Sequence, residues 1–440
     1  MKTIHIFPNN DHSIGWRGLN DKRRLASTLQ QEITVDFLVI GAGLAGLAAA
    51  RRLAENRPDA CIALVDAERV GEGTHARNSG FAIDVPHNTS SMLLDQAHAQ
   101  RHLRLARAAI DFLEQQVKAY GINCEWEQAG KFHAAVSPQG VETILRPTQK
   151  LLDVLHEPYE WLDRSTLEKK VGFNHFHAAI YTPGTVLLNP RALTQGLVDN
   201  LPANVDVYEN SPITSITYGT AQTKAQTPAG SVMAHQVVIA VNAFAEQFGV
   251  LKNRLIPIAA HASLTRPLTE PEQQALQGLK TWGITPANAF VGITMRRTPD
   301  QRILIRQNMA YAPDLHSDGQ HKATVAQQHQ RLFSERFPML PNVTIQHTWK
   351  GIMCVSANMA PGFGELMPNV FSAVCHNGIG LTSGTISGML AADLMTQRDN
   401  PLLEDIAALG LPTQLPPRPL LDMGVRSKLA WEAWQHRAEL

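Results

Sequence analysis

The sequence predicts an α/β protein of two domains, one of them Rossmann-like, and three observations carry that expectation. Residues Val35 to Gly46 read as an apolar strand that runs into a glycine turn and then into a helix-compatible stretch, Leu47 to Leu53. A second apolar strand, Cys61 to Val65, ends on Asp66, about 20 residues beyond the last glycine. At 440 residues with 44% apolar side chains, the chain can bury enough core to divide in two.

The first strand and turn, Val-Asp-Phe-Leu-Val-Ile-Gly-Ala-Gly-Leu-Ala-Gly, have the order that sets a dinucleotide pyrophosphate on a helix N-terminus. Gly41 allows the tight turn, Gly43 lets the backbone approach phosphate, and Gly46 lets helix and strand pack closely, with Leu44 and Ala45 opening the helix. Asp66, followed by Ala67, stands where a carboxylate accepts hydrogen bonds from an adenosine ribose. A glycine pattern alone also describes a plain turn, so the strand ending on Asp66 is what turns it toward a cofactor. Which dinucleotide is bound stays open at this point.

Composition narrows the partners. Lys+Arg and Asp+Glu are equal at 39 each, which provides no basic field for nucleic acid and no acidic tail. Cys61, Cys124, Cys354 and Cys375 show no CxxC pairing and no histidine at zinc spacing, so neither a disulfide framework nor a metal site is expected. Met1 to Pro8 is too short for a secretory segment, and no apolar run reaches the roughly 20 residues of a membrane span. The expectation is a cytoplasmic protein working on small molecules, its oligomeric state open.

The remaining elements follow from periodicity and punctuation. Asn9 to Glu32 reads as a polar leader anchored by Trp16. Leu103, Ala106, Ile110, Leu113, Val117 and Tyr120 mark one face of a helix stopped by Gly121. Cys124 to Val136 and Ala178 to Leu188 have strand character, with a helical piece around Val141 to Leu155 between them. Asn189-Pro190 opens a helix to Asp199, and Val205 to Tyr208, Ile213 to Tyr218 and Gln236 to Asn242 return to strand character. Ile256 to Thr265, Ala289 to Arg296 and Arg302 to Met309 read as strands of an inserted, mostly antiparallel sheet, the last two joined by the turn Arg297 to Gln301. A helix near Thr324 to Phe337, a strand at Thr344 to Val355, a buried strand at Val370 to Val374 and a small-residue helix at Thr382 to Met395 follow. Beyond the stiff spacer Pro412 to Pro419 comes a helix carrying Trp431 and Trp434.

Two further stretches select flavin. Gly71 to Phe81 is too rich in glycine and small polar groups for a regular element, and a second close backbone approach there suits a planar ring system. Gly378-Ile379-Gly380 opens the last small-residue helix, where free N–H groups and a positive dipole end can face the anionic edge of a reduced flavin.

With these residues in view, the chain resembles the D-amino-acid oxidase superfamily of FAD enzymes, and within it the γ-glutamylputrescine oxidase group of amine oxidoreductases. The resemblance runs through the early glycine turn, Asp66-Ala67, Arg69-Val70-Gly71, Ala76-Arg77-Asn78-Ser79-Gly80, Val241-Asn242-Ala243, Trp349-Lys350-Gly351, Met359-Ala360-Pro361 and Gly378-Ile379-Gly380. It implies a two-domain flavoprotein with a Rossmann-like FAD-binding domain of residues 30–120, 185–250 and 345–400. The implied substrate domain, a mostly antiparallel sheet, comprises 121–184 and 251–344, with a leader at 1–29 and a tail helix within 401–440.

Carried over residue by residue, the resemblance implies that Gly41, Gly43, Leu44, Ala45, Gly46, Asp66 and Ala67 hold the ADP half, with Ile213 at the adenine and Asn242 nearby. Thr74, Ala76, Arg77, Asn78, Ser79 and Gly80 would wrap the ribityl chain and ring, with Gly378, Ile379, Gly380, Leu381 and Thr382 at the pyrimidine end. The family loop is usually Ser-Gly-Arg-Asn-Gly-Gly, so His75-Ala76-Arg77-Asn78-Ser79-Gly80 places side chains at two positions normally bare. Cys354 falls near the position where monomeric sarcosine oxidase links its flavin, but the γ-glutamylputrescine oxidase pattern is apolar there, so the implied FAD is non-covalent.

Relatives move a hydride from the carbon beside an amine nitrogen to flavin N5, and the resulting imine is hydrolysed to a carbonyl compound. The implied substrate is a small amine or amino acid, with oxygen as acceptor or, alternatively, a quinone or carrier protein, and a hydroxy acid as a second donor class. Four residues are candidates at the reacting end. His261 lies in an apolar strand and suits proton exchange, or is simply a hydrogen-bonded sheet histidine. Arg302, Leu304 and Arg306 share one strand face while Ile303, Ile305 and Gln307 share the other. Arg306 is the better candidate to clamp an anionic head group, against the alternative of a solvated arginine, while Arg296 and Arg297 read as exposed turn residues. Trp349 and Lys350 would wall the pocket and contact substrate or flavin, or serve core and surface.

Overall fold

The computed structural model describes residues 1–19, 26–85, 95–316 and 321–440. Two large sheets organise it. In the first, Val370–Val374, Ser231–Ile239, Glu32–Ile40, Ile62–Val65 and Val205–Tyr208 lie side by side and all parallel. Strands buried on both faces need near-continuous apolar runs, which Phe37–Ile40, Ile62–Val65 and Val237–Ile239 supply. Antiparallel strands Ser215–Thr217 and Thr223–Gln226 extend one side, and Gly362–Met367 flanks Val370–Val374.

Helix α1 (Leu44–Asn56) leaves the first strand through Gly41, whose φ of +99° suits glycine. A Cβ on Gly46 would stand 1.8 Å from the Gly41 carbonyl oxygen, so only glycine lets the helix start this close to the strand. Helix α2 (Gln96–Tyr120) begins where the Asp95 side chain accepts the His98 N–H at 2.9 Å and ends at Gly121 in the left-handed conformation. Both helices share one apolar core with the small-residue helix, which spans Gly380–Met395.

The second sheet has eight strands in the order Ile345–Val355, Ile256–Thr265, Ile303–Tyr311, Thr294–Arg297, Trp282–Pro286, Lys131–Ala135, Ala178–Thr182 and Glu160–Asp163. All its neighbours are antiparallel except Trp282–Pro286 with Lys131–Ala135. Helix α3 (Lys322–Arg336) covers one face, where Leu332 and Phe333 pack with Ile303 and Ile305. Leu304, of opposite parity, packs on the other face with Trp16, Ala262 and Trp349.

Several expectations change. Ile345–Val355, assigned above to the nucleotide domain, pairs with Ile256–Thr265 along its length and so belongs to the second sheet. The stretch expected as a leader is structural: Lys2–Thr3 pairs with Ser215–Ile216, and Trp16 is buried with its Nε1 donating to the Asn78 carbonyl at 2.9 Å. Residues 20–25 of that leader lie outside the described residues. Cys124 to Val136 shortens to Lys131–Ala135, and Ala178 to Leu188 divides at Pro183-Gly184, where the chain turns. Ala289 to Arg296 shortens to Thr294–Arg297, and Trp282–Pro286 is an additional strand. Ile213 to Tyr218 likewise contracts to Ser215–Thr217. Arg296 and Arg297, expected at an exposed turn, are 0% and 3% exposed. The Arg296 guanidinium donates to the Leu188 and Gly80 carbonyls and lies over the Trp16 ring, so it pins the glycine-rich loop from inside.

Candidate active site

The carboxyl ends of the parallel strands open onto a cleft, the position where α/β sheets take ligands. Two cavities of about 140 and 220 Å³ share Gly43, Thr74, His75, Ala240 and Asn242 in their walls, so they form one elongated space. The first runs past Gly41, Asp66, Ala67, Glu68 and Ile213 and is closed by Ile4, Ile6 and Phe7. The second runs past Leu44, Ala45, Arg77, Asn78 and Ser79 to Gly378, Gly380 and Leu381, with Arg306, Thr285, Thr294, Ala260 and Ala262 of the second sheet opposite. Two early stretches and a third some 300 residues further along the sequence thus meet at one place.

The geometry favours an extended, partly anionic ligand. Gly43 caps α1 without a side-chain bond, leaving the first N–H groups of the helix free of side-chain caps. Asp66 accepts the Ala42 N–H at 2.6 Å and the Glu68 N–H at 2.8 Å. Burial raises its pKa to about 6 against those two bonds, with the Glu68 and Glu209 charges adding to the rise. Asp11 shows the reverse balance: desolvation raises it, but bonds from Ser13 and the ammonium of Lys322 bring it to about 2. It also faces the Arg77 guanidinium at 3.3 Å, which ties the N-terminal segment to the glycine-rich loop. Arg77 further donates to the Glu72 and Lys350 carbonyls.

Two buried imidazoles border the cleft. Burial lowers both His75 and His376 to a pKa of about 4, so both are neutral at physiological pH. Among the described residues His75 Nε2 and His376 Nδ1 have no hydrogen-bond partner, and unpaired buried polar atoms of this kind are unfavourable without a ligand to meet them. A Cβ on Gly380 would meet nothing within 4 Å, which leaves open space over the start of its helix. The uncapped helix start, the unpaired ring nitrogens and the open glycine edge fit a dinucleotide carrying a flat ring.

Arg306 is half-buried on the cleft side of its strand. Its guanidinium donates to Thr294 Oγ1 at 2.7 Å and the Ala289 carbonyl at 3.1 Å, and lies 3.2 Å from Met309 sulfur. Desolvation lowers its pKa to about 10, so it stays charged at neutral pH, and among the described residues it has no acidic partner.

Not every expected residue reaches the cleft. Ala260 and Ala262 line it, while His261 between them turns to the other side, its Nδ1 3.3 Å from the Asn308 carbonyl. Burial lowers its pKa, and the Lys350 and His321 charges lower it further against the Asn308 bond. Trp349 is buried beneath the glycine-rich loop, its Nε1 donating to the Arg77 carbonyl at 2.8 Å, so it backs the site without walling it. Lys350 offers its carbonyl to Arg77, and its side chain has parity opposite to the lining residues Gly351 and Met353. Gly46, Ala76 and Gly80 set backbone approach behind the wall, while Ile379 packs near Phe81 and Thr382 Oγ1 donates to the Ile83 carbonyl at 3.0 Å. Cys354 lines the cleft, its thiol donating to Asn242 Oδ1 at 3.1 Å, and burial beside Cys375 raises its pKa far up, which disfavours a nucleophilic thiolate.

Sequence reasoning missed His75, His376, Thr285 and Thr294. His75 was visible as a departure from the family loop, and His376 precedes the C-terminal glycines. Nothing local marked the two threonines, whose place depends on sheet register.

A Rossmann-like parallel sheet, a mostly antiparallel second sheet and a cleft between them define a two-domain flavoprotein. The chain belongs to the family described as DAO, FAD dependent oxidoreductase, which matches residues 36–394; it is an FAD-dependent enzyme. It is 25% identical to the gamma-glutamylputrescine oxidoreductase of Escherichia coli (strain K12) over 376 residues, 84% of this chain and 85% of that protein. Its fold is similar to glycine oxidase from Geobacillus kaustophilus, with a TM-score of 0.71 at 20% identity, covering 87% of this chain and 100% of that one. L-proline dehydrogenase from P. horikoshii gives a TM-score of 0.67 at 15% identity, covering 86% and 96%.

Proposed function

We propose that the protein oxidises the C–N bond of a small anionic amine or amino acid in the cytoplasm, with non-covalently bound FAD. The observation that carries this reading is Arg306, a desolvated cation facing the cleft whose partners among the described residues are all neutral. A substrate carboxylate would supply the missing counter-charge and accept a forked pair of hydrogen bonds. The name of the Escherichia coli relative, gamma-glutamylputrescine oxidoreductase, points the same way.

In this reading Gly41, Gly43, Leu44, Asp66 and Ala67 hold the ADP half, with Ile213 toward the adenine. Thr74, Arg77, Asn78 and Ser79 border the ribityl chain and ring, and Gly378, Gly380 and Leu381 border the pyrimidine end. FAD held by these residues would supply the hydride acceptor for oxidation of the carbon beside the amine nitrogen, giving an imine that water would hydrolyse. The chain's own contribution is to hold that carbon in place: Arg306 fixes the anionic end, Thr285 and Thr294 offer hydroxyls beside it, and Ala260 and Ala262 keep the floor small and apolar. His75 and His376, neutral by burial, offer ring nitrogens without adding charge.

The domain division is part of this reading, with Ile345–Val355 counted to the substrate side. An anaerobic panel of polyamine derivatives, N-methyl amino acids, D-amino acids and hydroxy acids, watched at the flavin absorbance band, tests it. Bleaching by an anionic amine is the expected result, and reoxidation by oxygen then separates an oxidase from a dehydrogenase serving a quinone or carrier. A protein bleached only by hydroxy acids would sink the amine reading.

A further inference from the structure

Helix α4 (Leu420–Gln435) presents two unlike faces. Toward the protein it sends Leu421, which is buried, together with Asp422 and Glu432, whose carboxylates are spoken for. Asp422 accepts the Tyr311 hydroxyl at 2.6 Å, and Glu432 lies 2.7 Å from the Lys428 ammonium and 3.5 Å from Asn288. Outward, at three- and four-residue spacing, come Leu420, Met423, Ser427, Trp431 and Trp434. The four apolar ones are 61%, 63%, 49% and 65% exposed. Beside this stripe stand the exposed bases Arg426, Lys428 and Arg437, and no exposed acidic side chain lies between Leu420 and Arg437. Lys428 Nζ is 4.4 Å from the Trp431 ring centroid and the Arg437 guanidinium 5.5 Å from that of Trp434.

We propose that this face is a docking surface for an anionic lipid bilayer, on which the protein sits peripherally. Two tryptophans beside Arg426 and Arg437 on a single-helix stripe, with Lys428 shared between Glu432 and the Trp431 ring, match a membrane interface, where indole rings sit at headgroup level and cations meet lipid phosphate. A second copy of this chain is a poorer occupant, because a self-facing pair would bring like charges together. Among the described residues no helix is long and apolar enough to cross a membrane, so the association is one of surface contact. The helix also lies beside the substrate end of the cleft: Asn288, its neighbour through Glu432, is adjacent to Ala289, whose carbonyl holds Arg306. Docking there orients the loop 287–292 side of the protein toward the bilayer.

The test is co-sedimentation of the holoprotein with vesicles of phosphatidylcholine alone or mixed with phosphatidylglycerol. Binding to the anionic vesicles at low salt, at least about tenfold above the neutral ones, a blue shift of tryptophan emission, and release by salt are expected. Trp431→Ser combined with Trp434→Ser should abolish binding while leaving the flavin spectrum and turnover with a soluble acceptor unchanged. Arg426→Gln with Lys428→Gln should weaken binding and flatten its salt dependence. Equal sedimentation of the double tryptophan variant, or none by the parent protein, overturns the proposal. So does a lipid-free dimer that the tryptophan variant converts to monomer, which would assign the face to a second copy.

Discussion

Arg306, proposed to hold the anionic end of the substrate, shows how surroundings set what one side chain can do. Its strand alternates, so Ile303 and Ile305 pack under α3 while Leu304 and Arg306 face the other way. That much was readable from the order Arg302 to Gln307, but its neutral company, Thr294 and the Ala289 carbonyl, comes from other strands and loops. Arg306→Ala should weaken binding of the anionic amine by about 1.5–3 kcal/mol, roughly 10- to 150-fold in Kd. The limiting rate of flavin reduction should change less, by under about threefold, because the clamp acts equally before and during the reaction. Arg306→Lys should recover part of the affinity, since it keeps charge and loses the fork. Stopped-flow titration reads both quantities, and an unaltered Kd for Arg306→Ala would remove the clamp. Arg296 and Arg297 illustrate the opposite case. Their position before Thr298-Pro299-Asp300 looks like a surface turn, and only contacts with Leu188, Gly80 and Trp16 reveal that Arg296 is interior.

Elements were legible where local signals agreed. Strand Val205–Tyr208, strand Ile256–Thr265 and strand Val370–Val374 fall where their apolar residues predict, and Asn189 caps the helix Pro190–Asp199 by accepting the Ala192 N–H. The seam between α1 and the helix Gly380–Met395 is a finer matter. A Cβ on Gly388 would lie 1.9 Å from the Ala45 carbonyl oxygen, so these helices touch backbone to backbone just behind the dinucleotide turn. Gly388→Ala should force them apart, costing about 1–3 kcal/mol and lowering the FAD retained through purification. Gly424→Ala on α4, where a Cβ meets nothing within 4 Å, should instead leave FAD content unchanged and raise stability by up to about 1 kcal/mol. Thermal melts and the flavin-to-protein absorbance ratio compare the two; equal behaviour would show that the seam does not position the cofactor.

Across the whole molecule, burial of imidazoles sets the response to acid. His75, His102, His175, His329 and His376 are lowered to about 4 and His133 to about 3, in each case chiefly by desolvation. Each folded-state pKa lies below that of the unfolded chain, so the unfolded chain takes protons first as pH falls. Their stabilising share is complete above about pH 6.5 and is lost as pH drops toward about 4. Asp66, raised to about 6, works the other way: it favours the fold at low pH and loses that share as pH rises through about 6. The six imidazoles outweigh Asp66 and Glu125, whose carboxyl burial also pushes up, so the melting temperature of the apoprotein should fall by several degrees between pH 7 and pH 5 at fixed ionic strength. A flat or rising profile would show that these imidazoles are hydrated or paired in solution.

The nucleotide half was determined within the sequence itself, because each of its signals is local: an apolar strand, a glycine turn whose residues meet their own neighbours, and an acid closing the next strand. The Arg77-Asn78 loop and the Gly378-Ile379-Gly380 helix start were likewise visible as contiguous motifs. The tertiary structure alone decided which side chains of the second sheet face the cleft. Side-chain parity and register there depend on pairing between strands far apart in the chain, which turned His261 away, sank Trp349 beneath the loop, and set Thr285 and Thr294 beside Arg306.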